Sequence, residues 1–66
     1  MKIVLNGKAI EIDQGLSIAD LIMRKKLNPG AVMVEINHEL VKAADWPVRK
    51  LKNDDQVEIL QFVGGG

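Results

Sequence analysis

The dipeptide Asn6-Gly7 constrains the fold of this chain more than any other sequence feature. It separates two β-prone runs, residues 2–5 and 8–12. A two-residue type I′ turn needs positive φ at both central positions, which asparagine and glycine adopt at low cost, so a tight β-hairpin is predicted. Alternation gives each run one apolar face. The residues of these apolar faces are Ile3, Leu5, Ile10 and Ile12.

A short amphipathic helix is predicted after the hairpin. Ser17 is a favourable N-cap, and Asp20 stands three residues later, where its carboxylate can reach back to the cap, although Glu or Gln is usual there. Leu16 and Leu21 have the spacing of a hydrophobic staple. The sequence Asn-Pro-Gly at residues 28–30 ends the helix, since proline interrupts helical hydrogen bonding.

Three further strands are predicted over residues 32–36, 39–41 and 56–62. Asn37-His38 is expected to form the turn between the first two, and residues 42–50 are expected to be irregular. The side chains predicted to face the core in this half are Val34, Ile36, Leu51, Val57 and Ile59.

This order of elements predicts an α+β fold with one helix packed on one face of a mixed sheet of four to five strands. A ubiquitin-like β-grasp results if the first and last strands lie side by side at the centre, although periodicity alone does not require that strand order. The length of 66 residues allows one domain. We expect a β-grasp domain over residues 1–62 and a flexible Gly-rich tail over residues 63–66.

Composition argues against several classes of function. The chain has no cysteine, which excludes a disulfide scaffold, a thiolate metal site and a cysteine nucleophile. Its single histidine, His38, belongs to no recognisable catalytic or zinc motif, so neither an enzyme activity nor a metal site is predicted.

The charge balance also narrows the expected partners. The chain has nine basic and nine acidic residues, and its only aromatic residues are Trp46 and Phe62. Neither the net charge nor the aromatic content therefore gives a reason to expect a nucleic acid as a binding partner. No apolar stretch is long enough to span a bilayer, and the first apolar run breaks too soon for a signal peptide. We therefore expect a cytoplasmic protein without a membrane partner.

The last four residues, Val63, Gly64, Gly65 and Gly66, raise the question of function most directly. Composition alone leaves two interpretations open, an inert or added terminus and a functional tail. The three terminal glycines have no side chains, so they can thread through a narrow channel and present the terminal carboxylate to an ATP-using site. An acyl-adenylate formed there can be attacked by sulfide or persulfide, and the resulting thiocarboxylate carries sulfur without any cysteine in the carrier.

A docking surface is predicted beside the tail. Leu60 and Phe62 alternate with the core positions of the last strand, and Met33 should face the same side, which Val4 would extend. Exposed apolar surfaces of this kind mark interaction sites. Met33, Leu60, Phe62 and Val63 are thus predicted to contact partner enzymes, the alternative being that these residues are scattered or partly covered.

Several of these features occur together in one known family. They are Asn6-Gly7, residues 15–21, residues 34–37, Trp46, residues 55–59 and residues 62–66. In this combination, over essentially its whole length, the chain resembles ThiS, the sulfur-carrier family of thiamine thiazole biosynthesis. His38 departs from a turn position where that family often has glycine.

The resemblance implies a cosubstrate rather than an enzyme. The Gly66 carboxylate would be adenylated by a ThiF-type enzyme using ATP and magnesium, while Gly64 and Gly65 thread into the partner's active site. The adenylated carboxylate would then be converted to a thiocarboxylate with sulfur derived from cysteine, and a cysteine desulfurase would be a further partner. A ThiG-type thiazole synthase would receive that sulfur. The chain itself is expected to bind no cofactor.

Three alternatives remain at this point. The small subunit of molybdopterin synthase shares the fold and the tail, although it is usually longer and the Phe62-Val63 ending favours the thiazole pathway. A protein modifier would be joined through Gly66 to lysine side chains. A plain binding module would have an inert tail.

Overall fold

The predicted hairpin opens the fold. Strand β1 (Lys2–Leu5) pairs antiparallel with β2 (Lys8–Glu11), and Ile3 lies opposite Ile10. Asn6 and Gly7 adopt φ angles of 49° and 82°, as a type I′ turn requires. The protein is seen here in a computed structural model that describes residues 1–62. Val63, Gly64, Gly65 and Gly66, and with them the predicted tail, lie outside the described residues.

Helix α1 (Ile18–Arg24) follows with the predicted cap. The Asp20 backbone N–H donates to Ser17 Oγ at 3.0 Å, and the Ser17 backbone N–H donates to Asp20 Oδ2 at 3.0 Å. Two of the orphan donors at the helix start are therefore satisfied reciprocally, which confirms the capping box. Ile18, Leu21 and Ile22 are buried beneath the helix.

The capping box makes stability depend on pH. Hydrogen bonds from Ser17, first its backbone N–H and then its hydroxyl, hold the pKa of Asp20 below its ordinary value of 3.8. A carboxyl group that is more acidic when folded stabilises the fold above its unfolded pKa, and this contribution disappears as pH falls through the folded pKa. The capping carboxylate should therefore act fully at neutral pH and weaken below about pH 4.

Asp20→Asn is the matching test. The asparagine oxygen can still accept a hydrogen bond but does not titrate, so the free energy of unfolding should fall less steeply below about pH 4 than in the unchanged protein. Urea unfolding at a series of pH values measures this difference, with Glu39→Gln as a control that removes a carboxylate outside the cap. Parallel pH profiles for Asp20→Asn and the unchanged chain would contradict the assignment.

The second half of the chain supplies β3 (Val32–Ile36), β4 (Glu39–Val41) and β5 (Gln56–Gln61). Two short 3-10 helices, Pro29–Ala31 and Ala43–Asp45, lie in segments that were predicted only as a helix stop and an irregular stretch. The predicted turn between β3 and β4 is confirmed, with Asn37 and His38 at φ angles of 52° and 71°.

The five strands form one mixed sheet in the order β2-β1-β5-β3-β4. β1 and β5 are parallel neighbours at its centre, whereas the other pairs are antiparallel. The predicted strand order of a β-grasp is therefore confirmed. No helix within residues 1–62 is long and apolar enough to cross a membrane.

The core lies between α1 and one face of the sheet. Leu51 is 3% exposed, which confirms the prediction that its side chain faces the core, and it reaches there from the loop before β5. Trp46 is also buried, and its Nε1 donates to the Val41 carbonyl oxygen at 3.0 Å, so it closes the edge of the core. The sheet face that points away from α1, called the outer face below, is left for contacts with other molecules.

Candidate functional site

The predicted docking residues lie together on the outer face. Met33 on β3 stands directly opposite Leu60 on the neighbouring β5, and side chains opposite each other across a strand pair share one face. Leu60 is 48% exposed and Phe62, two residues further along the extended chain, is 53% exposed. We call Met33, Leu60 and Phe62 the apolar row; the fourth predicted residue, Val63, lies outside the described residues.

Side-chain and backbone hydrogen bonds hold the end of β5 in place. Asn6 Oδ1 accepts from the Ile59 N–H at 2.9 Å, and Asn6 Nδ2 donates to the Ile59 carbonyl oxygen at 3.3 Å. The turn asparagine therefore continues the contact between β1 and β5 beyond the last residue of β1. On the other side of β5, the Phe62 N–H donates to the Ala31 carbonyl oxygen at 2.8 Å. Both neighbours thus fix the segment that leads into residues 63–66.

The structure changes the expected extent of this surface. Val4 pairs with Gln56, four residues before Leu60, so it stands apart from the apolar row. Leu40, which sequence analysis did not include, pairs with Glu35 on the outer face and is 58% exposed. The alternation of Leu40 with the inward-facing Val41 was the signal that could have identified it.

Two carboxylates occupy the outer face one row away from Met33 and Leu60. Glu35 on β3 and Glu58 on β5 are directly opposite each other, and we call them the carboxylate pair. His38 Nδ1 lies 3.9 Å from Glu58 Oε1, and both side chains are largely exposed. Within residues 1–62, no lysine or arginine side chain lies within 4.0 Å of either carboxylate.

The carboxylate pair and His38 also offer ligand atoms that lie within 4.8 Å of one another. Sequence analysis missed this grouping, because it depends on the register between β3 and β5. Exposed groups of this kind are common without an ion, so the arrangement does not by itself define a metal site. Its firm consequence is electrostatic: two like charges stand side by side on an exposed face.

A further acidic residue, Asp55, has a structural role. Asp55 is buried, and its carboxylate accepts from the Lys52 N–H at 2.8 Å and from Asn37 Nδ2 at 3.1 Å. This ties the turn before β5 to the turn after β3, so the Asp55 carboxylate serves as a turn residue.

Two clefts on the helix side of the molecule lack a catalytic arrangement. The larger, about 530 Å³, lies near the Asp13–Arg24 ion pair, whose side chains are exposed and 3.0 Å apart. The other, about 220 Å³, has an almost wholly apolar lining that includes Met23 and Trp46. Neither contains a histidine or a hydroxyl nucleophile among its lining residues. Of the five large apolar side chains that are exposed within residues 1–62, three belong to the outer face, namely Leu40, Leu60 and Phe62.

Comparison with known protein families and sequences gives consistent matches. The ThiS family model matches residues 3–66. Over 66 residues the chain is 36% identical to a thiazole synthase from Magnetococcus marinus and 29% identical to a thiazole synthase from Paramagnetospirillum magneticum. These matches cover 100% of this chain but only 20% of each relative, so the chain spans about one fifth of their length.

Two solved structures share the fold over the whole chain. A crystal structure of the thiamine biosynthesis protein ThiS from Geobacter metallireducens is 32% identical, with a TM-score of 0.85 and complete coverage of both chains. An NMR structure of a thiamine biosynthesis protein from the same organism gives a TM-score of 0.82 at 32% identity, covering 100% of this chain and 88% of that one. The architecture is thus the ubiquitin-like β-grasp of these proteins.

Proposed function

The chain belongs to the ThiS family of small sulfur carriers in thiamine biosynthesis, and we propose that the carboxylate of Gly66 is the group that carries the sulfur. In this proposal the carboxylate attacks the α-phosphorus of ATP, forms an acyl-adenylate and releases pyrophosphate. Hydrosulfide then attacks the acyl carbon and AMP leaves, which produces a thiocarboxylate. The chain acts as a cosubstrate, while ATP and magnesium are bound by the activating enzyme.

The position of the apolar row carries this proposal. Leu60 and Phe62 lie on the strand that runs directly into residues 63–66, and Met33 stands beside them. An enzyme that covers this row is therefore close to the start of the tail. Gly64 and Gly65 have no side chains to obstruct a narrow channel, and the chain has no cysteine that could carry sulfur instead. The proposal requires a free carboxylate on Gly66.

Two enzymes are proposed to use the outer face in turn. A ThiF-type enzyme adenylates Gly66 and introduces sulfur, which a cysteine desulfurase takes from cysteine as a persulfide and which a thiol reductant releases as hydrosulfide, itself becoming part of a disulfide. A ThiG-type thiazole synthase then receives the sulfur for the thiazole of thiamine. The matches to longer proteins named thiazole synthase support the second partner, since a segment like this chain forms one fifth of those proteins.

Leu60→Gln tests the docking role of the apolar row. Because Leu60 is 48% exposed, the substitution should change the free energy of unfolding by less than about 0.5 kcal/mol. It removes an apolar contact from the proposed interface, so thiocarboxylate formation at low carrier concentration should slow about tenfold. The measurement is the initial rate with the cognate ThiF-type enzyme, ATP, magnesium and sulfide.

Met23→Gln is the matched control for that experiment. Met23 is 75% exposed on α1, in the other layer of the fold, so the same loss of apolar surface should leave the rate unchanged. Equal rates for the two variants would show that the apolar row does not contact the activating enzyme.

A further inference from the structure

The carboxylate pair has no role within the described part of the chain. Like charges directly opposite each other on two strands are destabilising, so Glu35 and Glu58 oppose the pairing that brings them together. Within residues 1–62, the only basic group within 4.0 Å of either carboxylate is the His38 ring, at 3.9 Å from Glu58. In the free protein, water and salt screen this repulsion, because Glu58 is 48% exposed.

Apolar side chains surround the carboxylate pair, and they determine what a partner that covers this surface must provide. Met33 and Leu60 lie one row toward the tail, and Leu40 lies beside Glu35 on β4. A partner that covers these apolar side chains must also take water away from the two carboxylates. Burying a charge without a partner is costly, whereas one that forms good hydrogen bonds to an opposite charge is tolerated. The covering surface therefore needs a cation at this point.

We propose that the activating enzyme presents an arginine side chain to Glu35 and Glu58, flanked by apolar groups that cover Met33, Leu60 and Leu40. This inference rests on the proposed function and identifies the chemistry of its docking partner. A planar guanidinium has five N–H donors, so it can serve two adjacent carboxylates at once, which an ammonium group does less well. A protein with an acidic or purely apolar group at that point is rejected.

The same charges disfavour a second copy of this chain as the occupant. A symmetric dimer through the outer face would place the same patch of each copy against the other. The carboxylate pairs of both copies would then enter one interface, and within residues 1–62 no arginine or lysine side chain lies within 4.0 Å of the pair to neutralise it. A single-chain species at all accessible concentrations is therefore expected.

The test is the double variant Glu35→Gln/Glu58→Gln in steady-state thiocarboxylate formation, with the carrier as the varied substrate. The KM for the carrier should rise about tenfold or more, while kcat stays within about twofold, because the reacting carboxylate is untouched. The KM of the unchanged chain should increase between about 0.05 and about 0.3 M salt, and that increase should be much smaller for the double variant.

The matched control is Glu39→Gln/Asp54→Asn, which removes the same net charge from two exposed positions outside the outer face. Its KM should stay close to that of the unchanged chain. The urea midpoint of Glu35→Gln/Glu58→Gln should be equal to or higher than that of the unchanged chain, since a repulsion is removed. If the KM of Glu35→Gln/Glu58→Gln rises while its stability is undiminished, the variant has lost docking and is not misfolded.

Three outcomes overturn the inference in different ways. Equal KM values and salt dependence for the double variant and its control show that no cation meets the pair, while the proposed function stands. A rise in KM that His38→Asn alone reproduces points instead to a metal ion shared by His38 and the pair. If the unchanged chain yields no thiocarboxylate although the enzyme converts a control carrier, the proposed function fails and the inference fails with it.

Discussion

Deletion of Gly65 and Gly66 is expected to abolish ATP-dependent thiocarboxylate formation, with a loss of more than about 100-fold in rate. The deletion moves the terminal carboxylate back by two residues, up to about 7 Å of extended chain. Misplacement of a reacting group by about 1 Å can already cost about 100-fold. Neither glycine has a side chain to add to the core, so the free energy of unfolding should change by less than about 0.5 kcal/mol.

Amidation of the Gly66 carboxyl group provides a sharper form of the same experiment. Semisynthesis can replace the terminal carboxylate by an amide while leaving the length of the chain unchanged. The amide cannot form the acyl-adenylate, so it should be inert as a substrate and should compete with the unmodified carrier for the activating enzyme. Sulfur incorporation into either the truncated or the amidated chain would show that the working group is not the Gly66 carboxylate.

Ile3→Ala is expected to have the largest effect on stability. Ile3 is fully buried on β1, which pairs with both β2 and β5 at the centre of the sheet. Large-to-small changes at such positions cost about 2–5 kcal/mol, because the cavity collapses only partly. A domain of this length has a total stability of about 3–10 kcal/mol, so the substitution removes a large share of it.

Urea unfolding measures this loss, and Val48→Ala is the control. Val48 is 75% exposed, so its truncation should change the free energy of unfolding by less than about 0.5 kcal/mol. Carrier activity of Ile3→Ala should decline in proportion to the folded fraction, since the outer face exists only when β3 and β5 are paired. Full activity in a largely unfolded sample would show that the tail is recognised without the folded domain.

The local features of this fold follow from short sequence signals. Asn6 and Gly7 predict the hairpin because few other pairs accept positive φ at two successive positions. Ser17 and Asp20 predict the start of the helix because their spacing allows both cap hydrogen bonds. Each signal acts over a few residues, so it needs no knowledge of the rest of the chain.

The arrangement of strands is less accessible from the sequence. Apolar alternation placed Val57 and Ile59 on the inner side of the last strand, as the structure shows. It did not require β5 to lie parallel to β1, because the contacts that select this order join residues more than fifty positions apart. The side chain of Asn6 makes one such contact with Ile59, and no sequence pattern near Asn6 predicts this contact.

In the candidate site, too, the local features could be predicted from the sequence, whereas the pairing between strands could not. Alternation predicted that Met33 and Leu60 face outward, and the register places them opposite each other. The pairing of Glu35 with Glu58 could not be predicted, because a shift of one residue between β3 and β5 would send one of them to the other face. Val4 was suggested from its outward position alone, and the register between β1 and β5 places it beside Gln56.

Intact mass spectrometry tests the central claim most directly. The chain is incubated with its cognate ThiF-type enzyme, ATP, magnesium and a sulfide source, and the product is fragmented to locate any change. The account predicts that one oxygen is replaced by one sulfur and that fragmentation places the sulfur at Gly66. An unchanged mass, under conditions in which the same enzyme converts a control carrier, would contradict it.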